Sequence, residues 1–190
     1  MDFNSFLLAT GIVALAEIGD KTQLLSLMLA TRYREHHWAI IAGILIATIF
    51  NHAIAAWIGN SVSGLLSPDL LRWILGIGFI ALGLWLIIPD KLDGDEKTPP
   101  THSAWKVFTI TSSLFFMAEM GDKTQVATVA LGARYNDLLS VVAGTTIGMM
   151  LANAPAVWLG KKFTTVIPIK WVHGIAAVIF IVIGVTTLFI

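Results

Sequence analysis

The sequence predicts an all-α fold: a polytopic membrane protein whose six transmembrane helices form two inverted three-helix repeats. Three observations lead there. Of the 190 residues, 56% are hydrophobic and 13% charged, about half the charged fraction of an ordinary soluble domain. The apolar residues fall into six blocks long enough to span a bilayer, at roughly 5–30, 38–60, 70–89, 105–132, 138–160 and 169–189. A hexapeptide also occurs twice, as Glu17-Ile18-Gly19-Asp20-Lys21-Thr22 and Glu119-Met120-Gly121-Asp122-Lys123-Thr124, each copy in the middle of an apolar block.

Composition closes off several classes of function. The formal net charge is zero, which offers nucleic acid no electrostatic footprint, and there is no cysteine, which excludes disulfides, thiolate metal sites and cysteine nucleophiles. Six of the tryptophans, Trp38, Trp57, Trp73, Trp105, Trp158 and Trp171, lie near block ends, where indole rings anchor at a membrane interface. Met1-Asp2-Phe3-Asn4 has no basic n-region, so no cleavable signal peptide is expected.

One hydrophilic stretch, Asp90 to Ser103, carries Asp93-Gly94-Asp95-Glu96-Lys97 and Pro99-Pro100 and reads as a solvated linker. It divides the chain into a first three-helix repeat (1–89), a cytoplasmic linker (90–104) and a second, inverted repeat (105–190). Ala16–Gln23 matches Ala118–Gln125 at seven of eight positions, and Arg32-Tyr33 matches Arg134-Tyr135. With a one-residue slip, Ala42-Gly43 aligns with Ala143-Gly144 and Trp57-Ile58-Gly59 with Trp158-Leu159-Gly160; Trp73 and Gly76 align with Trp171 and Gly174. Three spans per repeat is an odd number, so the second copy enters the membrane in the opposite sense, an architecture that places transporter substrate sites near the midplane. Small residues at four-residue spacing, Ala39, Gly43 and Ala47 in the second span and Ser140, Gly144, Gly148 and Ala152 in the fifth, predict close helix packing in both halves.

Basic residues set the expected orientation. Arg32, Arg34, Lys91, Lys97, Lys106, Lys161, Lys162 and Lys170 fall beside the loops after spans 1, 3 and 5, against Arg72 and Arg134 on the other face. The positive-inside rule puts those three loops in the cytoplasm and both termini outside it.

Charge inside a span costs about 2.5–3.5 kcal/mol per residue on insertion scales, so the duplicated motif is the candidate site. Glu17 and Asp20, like Glu119 and Asp122, are three residues apart and would share a face of a helix. If the halves pack about a pseudo-twofold axis, the four carboxylates converge into a hard oxygen shell suited to Mg²⁺, Ca²⁺ or Mn²⁺. Thr22, Gln23, Thr124 and Gln125 are additional ligand candidates, and Gly19 and Gly121 weaken the helix where a break would free backbone carbonyls. Lys21 and Lys123 are expected to pair with an acid of the opposite repeat. Four carboxylates and two ammonium groups leave two net negative charges, which one divalent cation or two protons would neutralise. Competition between cation and protons for shared carboxylates is the exchange mechanism this arithmetic predicts. Asn51, His52 and Asn153, with His52 matched to Asn153, are further ligand or hydrogen-bond candidates, and a nitrogen ligand from His52 would favour Mn²⁺ over Ca²⁺. Mg²⁺ dehydrates reluctantly and is disfavoured. His36, His37 and His102 fall in loops, and His173 has no counterpart in the first half.

The duplicated Glu-x-Gly-Asp-Lys-Thr resembles the signature of the GDT-type cation/proton exchanger family, whose bacterial members include manganese exporters. Both copies meet the family pattern Glu-x-Gly-Asp-(Lys or Arg)-(Thr or Ser) in full, and the resemblance extends over the whole chain. It implies export of Mn²⁺, with Ca²⁺ as a second substrate, protons as counter-ion, and no cofactor beyond the transported ion. Carried over, the cation site is Glu17, Asp20, Glu119 and Asp122. The absence of the targeting extension and longer central loop of organellar relatives implies a bacterial inner membrane, with membrane lipid as surroundings. Two other readings compete: a passive divalent-cation channel, and an intramembrane aspartyl protease. The protease signature needs a glycine where Glu17 and Glu119 stand.

Overall fold

The computed structural model describes residues 2–88, 101, 103–135, 137–160 and 169–189. Lys91, Lys97, Lys161, Lys162, His102 and nearly all of the expected linker lie outside them. Among the described residues every regular element is α-helical: α1 Phe3–Glu17, α2 Lys21–Arg32, α3 His37–Ser63, α4 Pro68–Leu86, α5 Ala104–Glu119, α6 Lys123–Arg134, α7 Leu138–Leu159 and α8 Ile169–Phe189.

Four of these, α3, α4, α7 and α8, are long and apolar enough to cross a bilayer, and α1 with α2 makes a fifth span if that bent pair is counted as one. The first and fourth expected spans are therefore not continuous helices. The axis turns by 69° between α1 and α2, and α5 and α6 are separated at Met120–Asp122 in the same manner. Glycine at the third position of the motif is the local cause. Gly19 has φ 86° and Gly121 φ 76°, conformations that L-residues with a β-carbon avoid.

Each half packs chiefly on the other rather than on itself. α1 lies along α7 and α5 along α3; α2 meets α7 and α6 meets α3; α4 pairs with α8. The small-residue seams are where this exchange happens. A β-carbon on Gly43 would fall 2.8 Å from Thr111 Cβ and 3.0 Å from the Phe108 carbonyl, and one on Gly144 would fall 2.6 Å from the Phe6 carbonyl and 2.9 Å from Ala9 Cβ. Gly59 and Gly132 do the same between α3 and α6, where an added methyl would sit 2.0 Å from the Val129 carbonyl or 2.4 Å from that of Ala56.

Phe79, Phe180, Leu75, Leu82 and Leu131 belong to one apolar core, and Leu25, Leu29, Ile40, Ile44 and Phe115 to a second. The outward faces stay apolar. Trp73, Ile77 and Leu84 on α4, and Trp171, Ile175 and Val178 on α8, are exposed, as suits helices solvated by lipid chains.

Candidate functional site

The two breaks are copies of one another in three dimensions. Ile18 (φ −64°, ψ 113°) and Met120 (φ −64°, ψ 115°) are followed by the positive-φ glycines. The Asp20 amide then donates to the Glu17 carbonyl at 3.0 Å, and the Asp122 amide to the Glu119 carbonyl at 3.1 Å. That is a type II turn, which requires φ > 0 at its third residue. Glu17 and Glu119 thus end α1 and α5, while Asp20 and Asp122 are the N-cap residues of α2 and α6. Acid and aspartate do not share a helix face, as a continuous helix would have had them; they share a turn. Helix N-termini carry partial positive charge, which favours carboxylates there.

The motif's own polar residues hold each turn in shape. The Thr22 hydroxyl donates to Glu17 Oε2 at 2.5 Å, and Thr124 to Glu119 Oε2 at 3.0 Å. Gln23 Oε1 accepts from the Gly19 amide at 2.9 Å, and Gln125 Oε1 from the Gly121 amide at 2.7 Å. Each glutamine then reaches into the other half: Gln23 Nε2 donates to the Ala152 carbonyl at 2.9 Å, and Gln125 Nε2 to Asn51 Oδ1 at 2.6 Å. Gln23 and Gln125 are accordingly turn braces, with both ends of the amide committed to protein.

At the centre, single carboxylate oxygens of Glu17, Glu119 and Asp122 all lie within 4.8 Å of one another. Asp20 is as deeply buried, at 2% exposure, but is not one of that trio. Glu17 Oε1 and Glu119 Oε1 are buried and accept from no protein donor. Lys21 crosses between the halves to place its Nζ 2.7 Å from Asp122 Oδ1. Lys123 is buried; its Nζ donates to the Ile88 carbonyl at 2.7 Å and lies 5.9 Å from the centre of the Trp85 ring. Like charges this close in a low-dielectric interior repel strongly, so the trio invites a cation or protons.

The remaining candidates separate. Asn153 accepts from the Ser26 hydroxyl at 2.8 Å and donates to the Met149 carbonyl at 3.1 Å, and Asn51 donates to the Phe116 carbonyl at 3.5 Å. Both serve helix contacts beside the breaks. His52 is fully buried, and neither ring nitrogen has a hydrogen-bond partner.

Two participants were not read from the sequence. His173 places Nε2 2.6 Å from the carbonyl of Ile18, inside the first turn. As the one histidine of the strongly apolar last span it carried a signal, but its lack of a repeat partner hid its role. Ser26, which bonds Asn153, stands at the same repeat offset from Thr128 as the two motifs do from each other. That matched pair of hydroxyls was available in the sequence.

Among the described residues the elements are all helical, several can cross a membrane, and carboxylates from both halves gather at paired helix breaks, an arrangement that fits a multi-pass cation transporter. The chain matches the family described as "Divalent cation/proton antiporter GDT1" over residues 5–94 and 107–190, and it belongs to that family. It is 51% identical to the protein named "Putative manganese exporter" of Vibrio cholerae serotype O1, over 93% of this chain and 86% of that protein. It is also similar to GDT1-like protein 5 of Arabidopsis thaliana (28% identical, covering 92% of this chain and 90% of that one) and to GDT1-like protein 3 of the same plant (23%, covering 98% and 71%). No solved structure matches the chain.

Proposed function

We propose that this protein is a secondary transporter that exports Mn²⁺, with Ca²⁺ as a second substrate, across a bacterial inner membrane in exchange for protons. The observation that carries the reading is the meeting of Glu17, Glu119 and Asp122 from two halves at matching turns, with Lys21 beside them. When all are ionised, these three carboxylates and one ammonium carry two net negative charges. One divalent cation balances them, and so do two protons, which makes the two loads alternatives at one site. The ligands are hard oxygens, which suit Mn²⁺ and Ca²⁺. The name of the Vibrio cholerae relative supports Mn²⁺ as the primary ion.

In this reading the chain is two inverted repeats of three spans, 1–89 and 105–190, in which α1–α2 and α5–α6 are each one broken span. The reciprocal packing of the halves supports it: α1 on α7 mirrors α5 on α3. Broken helices meeting at a midplane site are what alternating access uses, one repeat rocking against the other. The loops bearing Arg32, Arg34 and Lys106 face the cytoplasm, with both termini on the opposite side. Glu17, Glu119 and Asp122 bind the ion, Asp20 joins them during the cycle, and Lys21 supplies countercharge.

The test is Mn²⁺ and Ca²⁺ flux in proteoliposomes with and without an imposed pH gradient, for the intact protein and for Glu119→Gln. Mn²⁺ flux driven by the gradient and abolished in the variant is expected. Flux indifferent to the gradient would instead identify a channel, and no flux of either ion would sink the cation reading.

A further inference from the structure

The two breaks share a motif and a turn type, but they are not held alike. What defines each turn is its middle peptide, Ile18–Gly19 in the first half and Met120–Gly121 in the second. Rotating that peptide turns type II into type I: ψ of the second residue goes from about +120° to about −30° and φ of the third from about +80° to about −90°, while the turn's ends stay in place. The Ile18–Gly19 peptide is gripped at both edges. Its N–H, on Gly19, donates to Gln23 Oε1 at 2.9 Å, and its carbonyl, on Ile18, lies 2.6 Å from His173 Nε2. A carbonyl can only accept, so His173 Nε2 carries the proton and donates.

Both grips come from the other half. Gln23 is itself tied to α7 through the Ala152 carbonyl, and His173, buried at 8% exposure, stands on α8, which packs against α1. The second turn has an equivalent of the amide grip and none of the carbonyl grip. Gly121 N–H donates to Gln125 Oε1 at 2.7 Å, and Gln125 is tied to Asn51 on α3. The alignment of Trp73 and Gly76 with Trp171 and Gly174 puts Leu75 where His173 stands, and a leucine side chain has no donor to offer the Met120 carbonyl. The surroundings differ in the same sense. Ile18 and Gly19 are half-buried, whereas Met120 and Gly121 are exposed, with open space where a Gly121 β-carbon would stand.

A peptide bonded at both edges cannot rotate without losing two hydrogen bonds at once, and a polar group left unpaired away from water is costly. Glu17 is the first residue of the doubly held turn, and its carbonyl accepts from the Asp20 amide across it. We propose that His173 is a positioning residue of the ion site: by holding the Ile18 carbonyl it fixes the first turn, and with it Glu17, while the Met120–Gly121 peptide, gripped at its amide alone, is the one able to turn over. The two breaks are then unequal partners, one a fixed wall of the site and the other its adjustable side. This deepens the cation-transport reading and rests on it for the ion-affinity readout.

Two readouts test this on the full chain. The first needs no transport: hydrogen–deuterium exchange, followed by mass spectrometry, over residues 17–20 and 119–122. In the parent the first turn is expected to exchange at least about tenfold more slowly than the second, and His173→Leu, which installs the residue of the other half, should remove the difference. The second is Mn²⁺ flux in proteoliposomes as a function of Mn²⁺ concentration. In His173→Leu the half-saturating concentration should rise about tenfold, the low end of what losing an outer partner costs a metal site, with the maximal rate kept. His173→Gln carries its Nε2 the same number of bonds from Cα and should restore both readouts. A merely structural role would lower the maximal rate through loss of folded protein and leave the half-saturating concentration alone, so that pattern overturns the proposal. Equal exchange at the two turns, exchange at 17–20 unmoved by His173→Leu, or no rescue by His173→Gln would overturn it too. His173→Phe, which keeps a flat ring without the donor, takes the place of His173→Leu if that variant does not fold. The expected exchange pattern without Mn²⁺ flux in any variant keeps the hold of His173 on the turn and removes the export reading.

Discussion

Lys21 Nζ and Asp122 Oδ1 stand 2.7 Å apart, joining the motif of one half to the motif of the other. The lysine belongs to the helix that starts after the first break and the aspartate caps the helix that starts after the second. The pair therefore ties the two breaks to each other and places one positive charge among the carboxylates.

Replacing that lysine leaves Asp122 buried without its ammonium. Breaking a buried pair costs about 3–5 kcal/mol, and because the Lys21 side chain is 26% exposed the loss should be smaller, about 1–3 kcal/mol after allowance for solvent screening. Lys21→Gln is expected to lower the thermal midpoint followed by tryptophan fluorescence in detergent. Added Mn²⁺ should restore more of it than in the parent, since the ion supplies the missing charge. An unchanged midpoint would show that the pair contributes nothing to the empty state.

Glu17→Gln and Glu119→Gln keep the shape and the hydrogen bond from Thr22 or Thr124 but remove a charge from the trio. Mn²⁺ flux should fall by more than the roughly 10–100-fold that loss of an outer partner costs a metal site. Thr124→Val, which removes an outer hydroxyl shared by Glu119 and Asp122, should fall within that range. A Glu119→Gln protein that transports as well as the parent would take Glu119 out of the site.

Gly121 has open space where a β-carbon would stand, but φ is +76°. Gly121→Ala should therefore cost only the left-handed penalty, about 1–2 kcal/mol, yet slow transport by distorting the turn that sets Glu119 against Asp122. Gly59→Ala is the opposite case. Its methyl group would meet the Val129 carbonyl at 2.0 Å, so α3 and α6 must separate, and loss of folded protein is the expected result by size-exclusion chromatography.

Two surface carboxylates give a pH signature remote from the site. Asp137 caps α7, and its carboxyl is held below the usual range by the Ser140 hydroxyl, the Ser140 amide and the Asp2 amide. Asp2, capping α1, is lowered by the Ser5 hydroxyl and the Ser5 and Asn4 amides. A carboxyl lowered in the folded state stabilises at pH above its unfolded value, near 3.9, and loses that contribution as pH falls through the folded value. Asp137→Asn should thus flatten the fall in stability below about pH 4 and leave neutral-pH transport unchanged. A variant with an undiminished acid transition would assign that transition to other groups.

Much of the protein was legible in the chain because its signals are local or periodic. The apolar blocks, the repeat offset, the small-residue spacing and the acid-glycine-acid motif are all fixed by residue type and position, and a membrane raises the cost of every misplaced charge enough to make them plain. Tertiary structure decided what depends on distances between halves. It turned the face-sharing acids into turn-sharing ones, since Gly19 and Gly121 adopt a backbone that no periodicity encodes. It set Lys21 on Asp122, turned the motif glutamines into braces, and brought His173 to the Ile18 carbonyl. It also left the buried side chains of Thr48, His52, Thr111 and Thr146 without hydrogen-bond partners. Sequence fixes which groups must be paired or hydrated, but only the packing of one half on the other determines which of them meet.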